Sequence, residues 1–453
     1  MKSIRNHENG QAIVLLVISL VVLLGFTALA IDGGMVFSDR RLAQNIVDTA
    51  ALAGGGAAGS LLVERNIIYE SFTDRCDHSL EVAAEQAAID RAGSNSDNID
   101  ISSFSAEATC IMGRPEKYIL VETSLTTNTR TSFAHLLIDG PLQSTVEAET
   151  KVYPKASLFY GNSIIALSDE CDPGIEVKGG GNVTNIYING GGVFSNSCLY
   201  GNGNTTIHVS QDGGEGDGAI NYSQVDGLTL IGGATFTPPP AWVDYQFPAY
   251  NIPYPPCDSL SPQVDPTIFD HPQAEITIDP GRYPSINWQR GGTLILNPGL
   301  YCITGDVNIN GGKVTTNSTF SSGALPRDEE RGVTFFSLTG SFYVTSNANV
   351  ELYAPVICDG SVENGCPPAV QNLLIYMVNG EDVQVQGGST AFYTGTIYAP
   401  KADIVAGGTT DSSSTYHVQL IGWNVTLNGT NQFDFTFNSD ENYMIPAKMD
   451  LYR

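Results

Sequence analysis

The sequence predicts three parts in series: an N-terminal transmembrane helix, a small α+β domain, and a mainly-β C-terminal domain read as a right-handed parallel β-solenoid, with a β-sandwich as the alternative. Three observations carry this. Ala12–Ile31 is a run of twenty residues without a charge. Between residues 42 and 152, helical spacing of apolar residues gives way to strand-like alternation. Beyond residue 156, short apolar runs closed by Gly-Gly or Asn-Gly recur about every 21 residues. The expected boundaries are a cytoplasmic tail at 1–11, the transmembrane helix at 12–31, a juxtamembrane helix at 32–59, the α+β domain at 60–155 and the solenoid at 156–453, with a proline-rich excursion at 235–273.

As a helix, the uncharged run spans about 30 Å, the thickness of a bilayer's hydrocarbon core. Ala12, Leu16, Leu20, Leu24 and Ile31 mark the anchor along its length. Lys2 and Arg5 before it favour a cytoplasmic N-terminus, whereas Arg40 and Arg41 after it weaken that charge asymmetry. The cysteines and the long remainder place the bulk of a single-pass protein outside the cytoplasm. Ala28-Leu29-Ala30 has the small-residue form of a signal-peptide cleavage site. The apolar run nevertheless exceeds the usual h-region of about 7–15 residues and flows into a helical segment, so an uncleaved anchor is expected.

Beyond the anchor, Leu42, Ile46, Ala50 and Ala53 fall on one helical stripe, which Gly54–Gly56 are expected to end. The small residues on this stripe would let another helix approach closely, either a partner's or the protein's own next domain. Polar landmarks flank the apolar run at kept spacings: Gly10-Gln11 before it, Ala30-Ile31-Asp32-Gly33 after it, then Gln44, Asp48 and Ala50-Ala51-Leu52-Ala53. In these the first 60 or so residues resemble TadG-like proteins of the Flp (tight-adherence) pilus-assembly system. Ala43, Ile46-Val47 and Thr49 depart from that pattern. Gly10 also stands where a type IV-type prepilin has its processing glycine. Leu15 occupies the position of the glutamate such a pilin needs, so pilin processing is not expected. The resemblance implies an accessory envelope protein, not an enzyme, whose partners are the lipid bilayer and pilus-assembly or envelope proteins.

In the next segment, residues Leu61–Gly93 read as helix, with Leu80, Ala83, Ala84, Ala87 and Ala88 at helical spacing. Ile119–Val121 and Val146–Val152 alternate as half-buried strands do, and Phe133–Ile138 reads as a short helix closed by Gly140-Pro141. This order of elements is similar to that of TadE- and TadG-like proteins.

The solenoid reading rests on Asp382–Gly388, Ala402–Gly408 and Trp423–Gly429, whose last glycines lie 20 and 21 residues apart. Leu352-Tyr-Ala-Pro355 recurs as Ile397-Tyr-Ala-Pro400, and Asp306–Gly312 and Asn182–Gly190 fit the same mould. Asparagines are expected at left-handed corners, which most residues cannot adopt. The texture resembles β-helical domains of bacterial cell-surface proteins. Ten of the 23 prolines lie in 235–273. With its aromatics Trp242, Tyr245, Phe247, Tyr250 and Tyr254, that stretch reads as an excursion docked across the solenoid, or else as an exposed binding surface.

Chemistry is sparse. A net charge of -27 repels phosphate backbones, so nucleic acid is not expected as a partner. Eight cysteines (Cys76, Cys110, Cys171, Cys198, Cys257, Cys302, Cys358 and Cys366) form no zinc spacing and suit disulfides, sequential pairing being the simplest order. Asp212, Glu215 and Asp217 share a glycine-rich loop that calcium could use, though the spacing is not that of an EF-hand. Asp411–Thr415 has the outline of a metal-ion adhesion motif without its preceding apolar strand. Arg282, Arg290, Arg327 and Arg331 are scattered, and the six histidines stand apart, so no cofactor and no catalytic residues are expected. The resulting expectation is a membrane-anchored pilus or surface-adhesion component. The alternatives are a surface protein that binds or cleaves glycans and a surface-layer-like scaffold.

Overall fold

The computed structural model describes residues 11–452, apart from 97–98, 114–115, 137–138, 180–183, 212–217, 261–268, 270–274, 290, 318–331, 346, 356–367, 387, 389–390, 409–414 and 430–431. The chain forms two compact units, one of residues 1–155 with 446–453 and one of residues 156–445. The last eight residues therefore belong with the first unit and not with the solenoid, contrary to the sequence expectation.

The first unit begins with α1, Gln11–Glu64, a single helix of 54 residues. It joins the expected anchor and juxtamembrane helices without a break. Gly54–Gly56 do not end it. A side chain on Gly54 would meet the carbonyl oxygen of Ala84 at 2.8 Å, and one on Gly55 would meet Thr150 at 2.6 Å, so the glycines serve close packing. The helix stops at Asn66, in the left-handed region with φ 47°. Arg75 donates to the carbonyls of Arg65 and Asn66 there. The helix expected over 61–93 is thus split into the end of α1, α2 (Phe72–Arg75) and α3 (His78–Ser94). Asp77 caps α3 by accepting the amides of Ser79 and Leu80.

Three strands follow, β1 (Ile101–Ile111), β2 (Tyr118–Thr129) and β3 (Leu142–Tyr153), and the C-terminal strand Lys448–Tyr452 adds to β3. The sheet is antiparallel throughout, in the order β1–β2–β3–C-terminal strand. Alternation puts Ile119, Val121 and Leu125 on the face that meets Ala43, Ile46, Val47 and Ala50 of α1 and Leu80, Ala84 and Ala88 of α3. The small-residue stripe therefore packs on the protein's own sheet and α3. Of the helix expected over 133–138, the described residues form a 3-10 turn, Ala134–Leu136. Cys76–Cys110 ties the start of α3 to β1.

The second unit is a stack of parallel strands in three rows, with one apolar interior. This is the solenoid and not the sandwich, since within the described residues its only antiparallel pair is Ala156–Ser157 with Met444–Ile445. In one row Val383, Ile404 and Val425 are register partners. Each step is 21 residues (404 − 383 and 425 − 404). The intervals from Thr316 to Val333 and from Leu352 to Leu373 lie mostly outside the described residues. Two expected equivalences fail. Leu352 pairs with Tyr393, whereas Ile397 pairs with Ile375, so the recurring Tyr-Ala-Pro segments sit in different rows. Thr184–Asn189 likewise lies in a different row from Val307–Ile309. Glycine takes most of the left-handed corners, and Asn372 is the one asparagine there among the described solenoid residues. Asparagines instead bridge successive coils, as where Asn317 bonds Asn297 at 2.6 Å and Asn297 bonds Asp279 at 2.6 Å.

Chain order and stack order differ. The chain joins the stack in its middle at Asn162–Ala166, builds outward to Ala241–Trp242, and resumes at the opposite end with Glu275–Ile278. It then coils back until Thr415–Gly422 pairs with Asn162–Ala166 and Gln432–Thr436 pairs with Thr184–Asn189. The central coil is therefore made from both halves. Gln419, fully buried there, donates to the carbonyls of Leu158 and Asn162.

Of the proline-rich excursion expected at 235–273, Thr235–Thr237 and Ala241–Trp242 are still strands of the coil, and residues 247–257 form a strap along the outside of one row. Its backbone is held in sequence by Asn196 on Phe247, Tyr398 on Tyr250, Tyr376 on Ile252 and the disulfide Cys257–Cys302. The strap runs from strand Gly192–Ser195 to strand Gly299–Ile303, six strands along the row. Six steps of about 4.8 Å make about 29 Å. Ten residues at about 3.1 Å each make about 31 Å, so an extended proline-rich segment matches the distance. Having few amide hydrogens, it presents carbonyls, and the tyrosine hydroxyls donate to them. Cys171–Cys198 makes the third disulfide. All six described cysteines are paired in sequential order, and Cys358 and Cys366 lie outside the described residues.

Candidate functional site

The residues that the sequence singles out converge on α1, where an apolar stretch passes into a packed one. Leu16, Leu20, Leu24 and Ile31 are 63%, 51%, 60% and 43% exposed, as suits side chains whose partner is lipid. Ala12 lies in the same helix. Within the first unit, burial begins at Asp32, which is only 5% exposed. Its carboxylate accepts the amides of Ser132 at 2.7 Å, Phe133 at 3.0 Å and Ala134 at 2.5 Å, capping the 3-10 turn after β2. Burial pushes this carboxyl up, but the amides of Ala134, Ser132 and Phe133, with His135 nearby, outweigh it and hold it below the ordinary carboxylate range. About two turns further on, Asp39 accepts from Thr129 at 2.7 Å.

Gln44 and Asp48 form the next latch. The Gln44 amide donates to Asp48 at 2.8 Å and to the carbonyl of Glu147 on β3 at 3.1 Å. Thr123 of β2 donates to the carbonyls of Val47 and Ala148, and Asn95 donates to Thr49 at 3.0 Å. The spaced landmarks Asp32 and Gln44 are thus polar points at which the helix is fastened to the sheet unit, and Asp48 holds the Gln44 amide from one turn along the same helix. Gln11 is the first residue of α1, and Gly10 lies outside the described residues. Gly33 has open space where a side chain would stand, and nothing in the structure explains it. The sequence reading missed Thr123, Thr129 and Asp39. Their only signal is that each is a short polar residue on an otherwise packed face.

The arrangement holds a helix; it does not gather reactive groups. No cluster of three or more His, Cys, Asp or Glu placed to hold a metal occurs among the described residues. Glu107, Glu122 and Glu149 are register neighbours across β1, β2 and β3, but they face solvent beside a shallow hollow. Asp212, Glu215, Asp217, Asp411, Arg290, Arg327 and Arg331 lie outside the described residues. The proline-rich segment divides its aromatics: Phe247 is buried, whereas Trp242 and Tyr254 are 49% and 58% exposed.

A helix long and apolar enough to cross a membrane, fastened to a folded unit by its own polar landmarks, defines a membrane-anchored protein. Comparison with known families agrees: residues 10–58 match the family described as putative Flp pilus-assembly TadE/G-like. The match falls almost wholly on α1 and includes each landmark, which supports a protein related to Flp pilus assembly. No curated protein and no solved structure matches the chain.

Proposed function

We propose that this protein is a non-enzymatic accessory or structural component of a Flp-type pilus or surface-adhesion apparatus. Its N-terminus lies in the cytoplasm and it displays the solenoid outside. The observation that carries the reading is that the pilus-family landmarks Asp32 and Gln44 are points that latch the anchor's helix to the sheet unit. What the family resemblance preserves is a fastening, and a fastening suits a component that bears load between a membrane and an assembly. Three disulfides support the extracytoplasmic placement, because such bonds persist in oxidising compartments. The stacked coils supply a stiff surface that partner envelope proteins can grip. The role requires no cofactor.

The test is deletion of the gene, followed by counting pili by electron microscopy and measuring surface attachment. Both are expected to fall and to return with the intact chain. Restoration is also expected to fail with a chain whose residues 12–31 are replaced by a cleaved signal peptide. Normal piliation and attachment in the deletion strain would sink the proposal.

A further inference from the structure

The segment after β2 runs down the side of α1. Thr129 is tied to Asp39, and Ser132, Phe133 and Ala134 are tied to Asp32. Seven residues of helix separate those two carboxylates, a descent of about 10 Å. Asp32 is the residue that immediately follows the apolar run Ala12–Ile31. The clasped turn therefore sits where the helix leaves the hydrocarbon. Phe133 of the turn is 42% exposed, Met35 and Phe37, three and five residues along α1 from Asp32, are 38% and 64% exposed, and Met35 lies against Ser132 at 3.8 Å. One exposed apolar side chain needs no explanation. Three within about 8 Å along the helix axis, continuous with a lipid-facing helix, match the interfacial zone, where amphipathic and aromatic side chains concentrate. The turn's amides would be costly to leave unbonded at that depth, and the Asp32 carboxylate satisfies them.

We propose that Asp32 pins this turn so that Phe133, with Phe37 and Met35, rests in the headgroup–acyl boundary and gives the first unit a second contact with the bilayer. The proposal rests on the anchor reading. Its consequence is that the sheet unit stands in one attitude to the membrane instead of swivelling about a single helix.

The experiment uses the full chain in phosphatidylcholine nanodiscs with and without brominated acyl chains. Single tryptophans are introduced as Phe133→Trp, Val21→Trp and Ser105→Trp, the last on an exposed position of β1, and the emission of the parent chain is subtracted. Bromine is expected to quench the added emission about twofold or more at positions 133 and 21 and not at 105. Adding Asp32→Ala is expected to remove at least about half of the quenching at position 133 and none at position 21. Quenching at 21 with none at 133 overturns the proposal and leaves the anchor standing. No quenching at 21 overturns both. Quenching at 133 that ignores Asp32→Ala removes the pinning role.

Discussion

Gly54 and Gly56 lie two residues apart in α1 and have opposite uses. A methyl group on Gly54 would press on the Ala84 carbonyl and on Val121, and backbone cannot step aside, whereas Gly56 faces open space. Replacing a helical glycine by alanine gains about 0.5–1 kcal/mol of helix stability. Overpacking a tight contact costs about 1–3 kcal/mol. Gly54→Ala is therefore expected to destabilise the first unit by about 1 kcal/mol and Gly56→Ala to stabilise it by about 0.5–1 kcal/mol. Urea unfolding of each variant in detergent checks the pair, and equal effects would refute it. Periodicity shows which face of α1 is buried. It does not reveal what lies against that face, so a Gly-Gly-Gly run reads as a stop when it is a contact. Asp32, Gln44 and Asp48 stand out because polar residues kept in register on an apolar helix need a reason. Their partners Ser132 and Glu147 are 100 and 103 residues away and carry no local mark.

Among the elements, the strap shows the same division. Its prolines and aromatics announce a docked extended segment, but its docking points Asn196, Ile252–Tyr376 and Tyr250–Tyr398 span separations of 51, 124 and 148 residues. Ring contacts reinforce it, with Phe247 on Phe194 at 4.4 Å and Tyr254 on Phe336 at 5.7 Å. The Cys257–Cys302 bond fixes its far end and closes a loop with a sequence separation of 45. Cys257→Ser with Cys302→Ser is expected to lower the stability of the second unit by about 2–4 kcal/mol. It should also admit protease to the strap before the coils. Thermal melting and timed proteolysis measure this, and an unchanged melting temperature would show that the rings and hydroxyls suffice.

At the scale of the molecule, the coil period was legible because it is local and stacks Val383, Ile404 and Val425, whereas the order of coils was not. Nothing in the sequence of Asn162–Ala166 says that its neighbour is Thr415–Gly422, because any apolar strand of the right pitch would fit. The excess of buried tyrosines is a property of the stack as a whole. Tyr283 and Tyr301 stack inside one row, Tyr393 and Tyr416 inside another, and burial raises all four phenols well above the ordinary 10.0. On the strap side, burial first, then Tyr254 and Tyr443, push Tyr376 up to about 12. A folded value above the unfolded one means stability that is whole below pH about 10 and lost as pH rises past it. Tyrosinate absorbance of the buried group is thus expected to appear abruptly with loss of circular dichroism above pH about 10. A gradual titration with the fold intact would refute this.

The C-terminal strand lies in the first unit, where it pairs with β3 from Glu149–Tyr452 to Tyr153–Lys448, with Lys448 over the Tyr153 ring and Lys151 over the Tyr452 ring. The solenoid is therefore an insertion in the first unit's sequence, covalently continuous with it on both sides. A single proteolytic nick within 156–445 leaves one fragment joined to α1 by peptide bonds and the other held by this strand and by the shared central coil. Releasing the second unit whole therefore takes two cuts, one on each side of it.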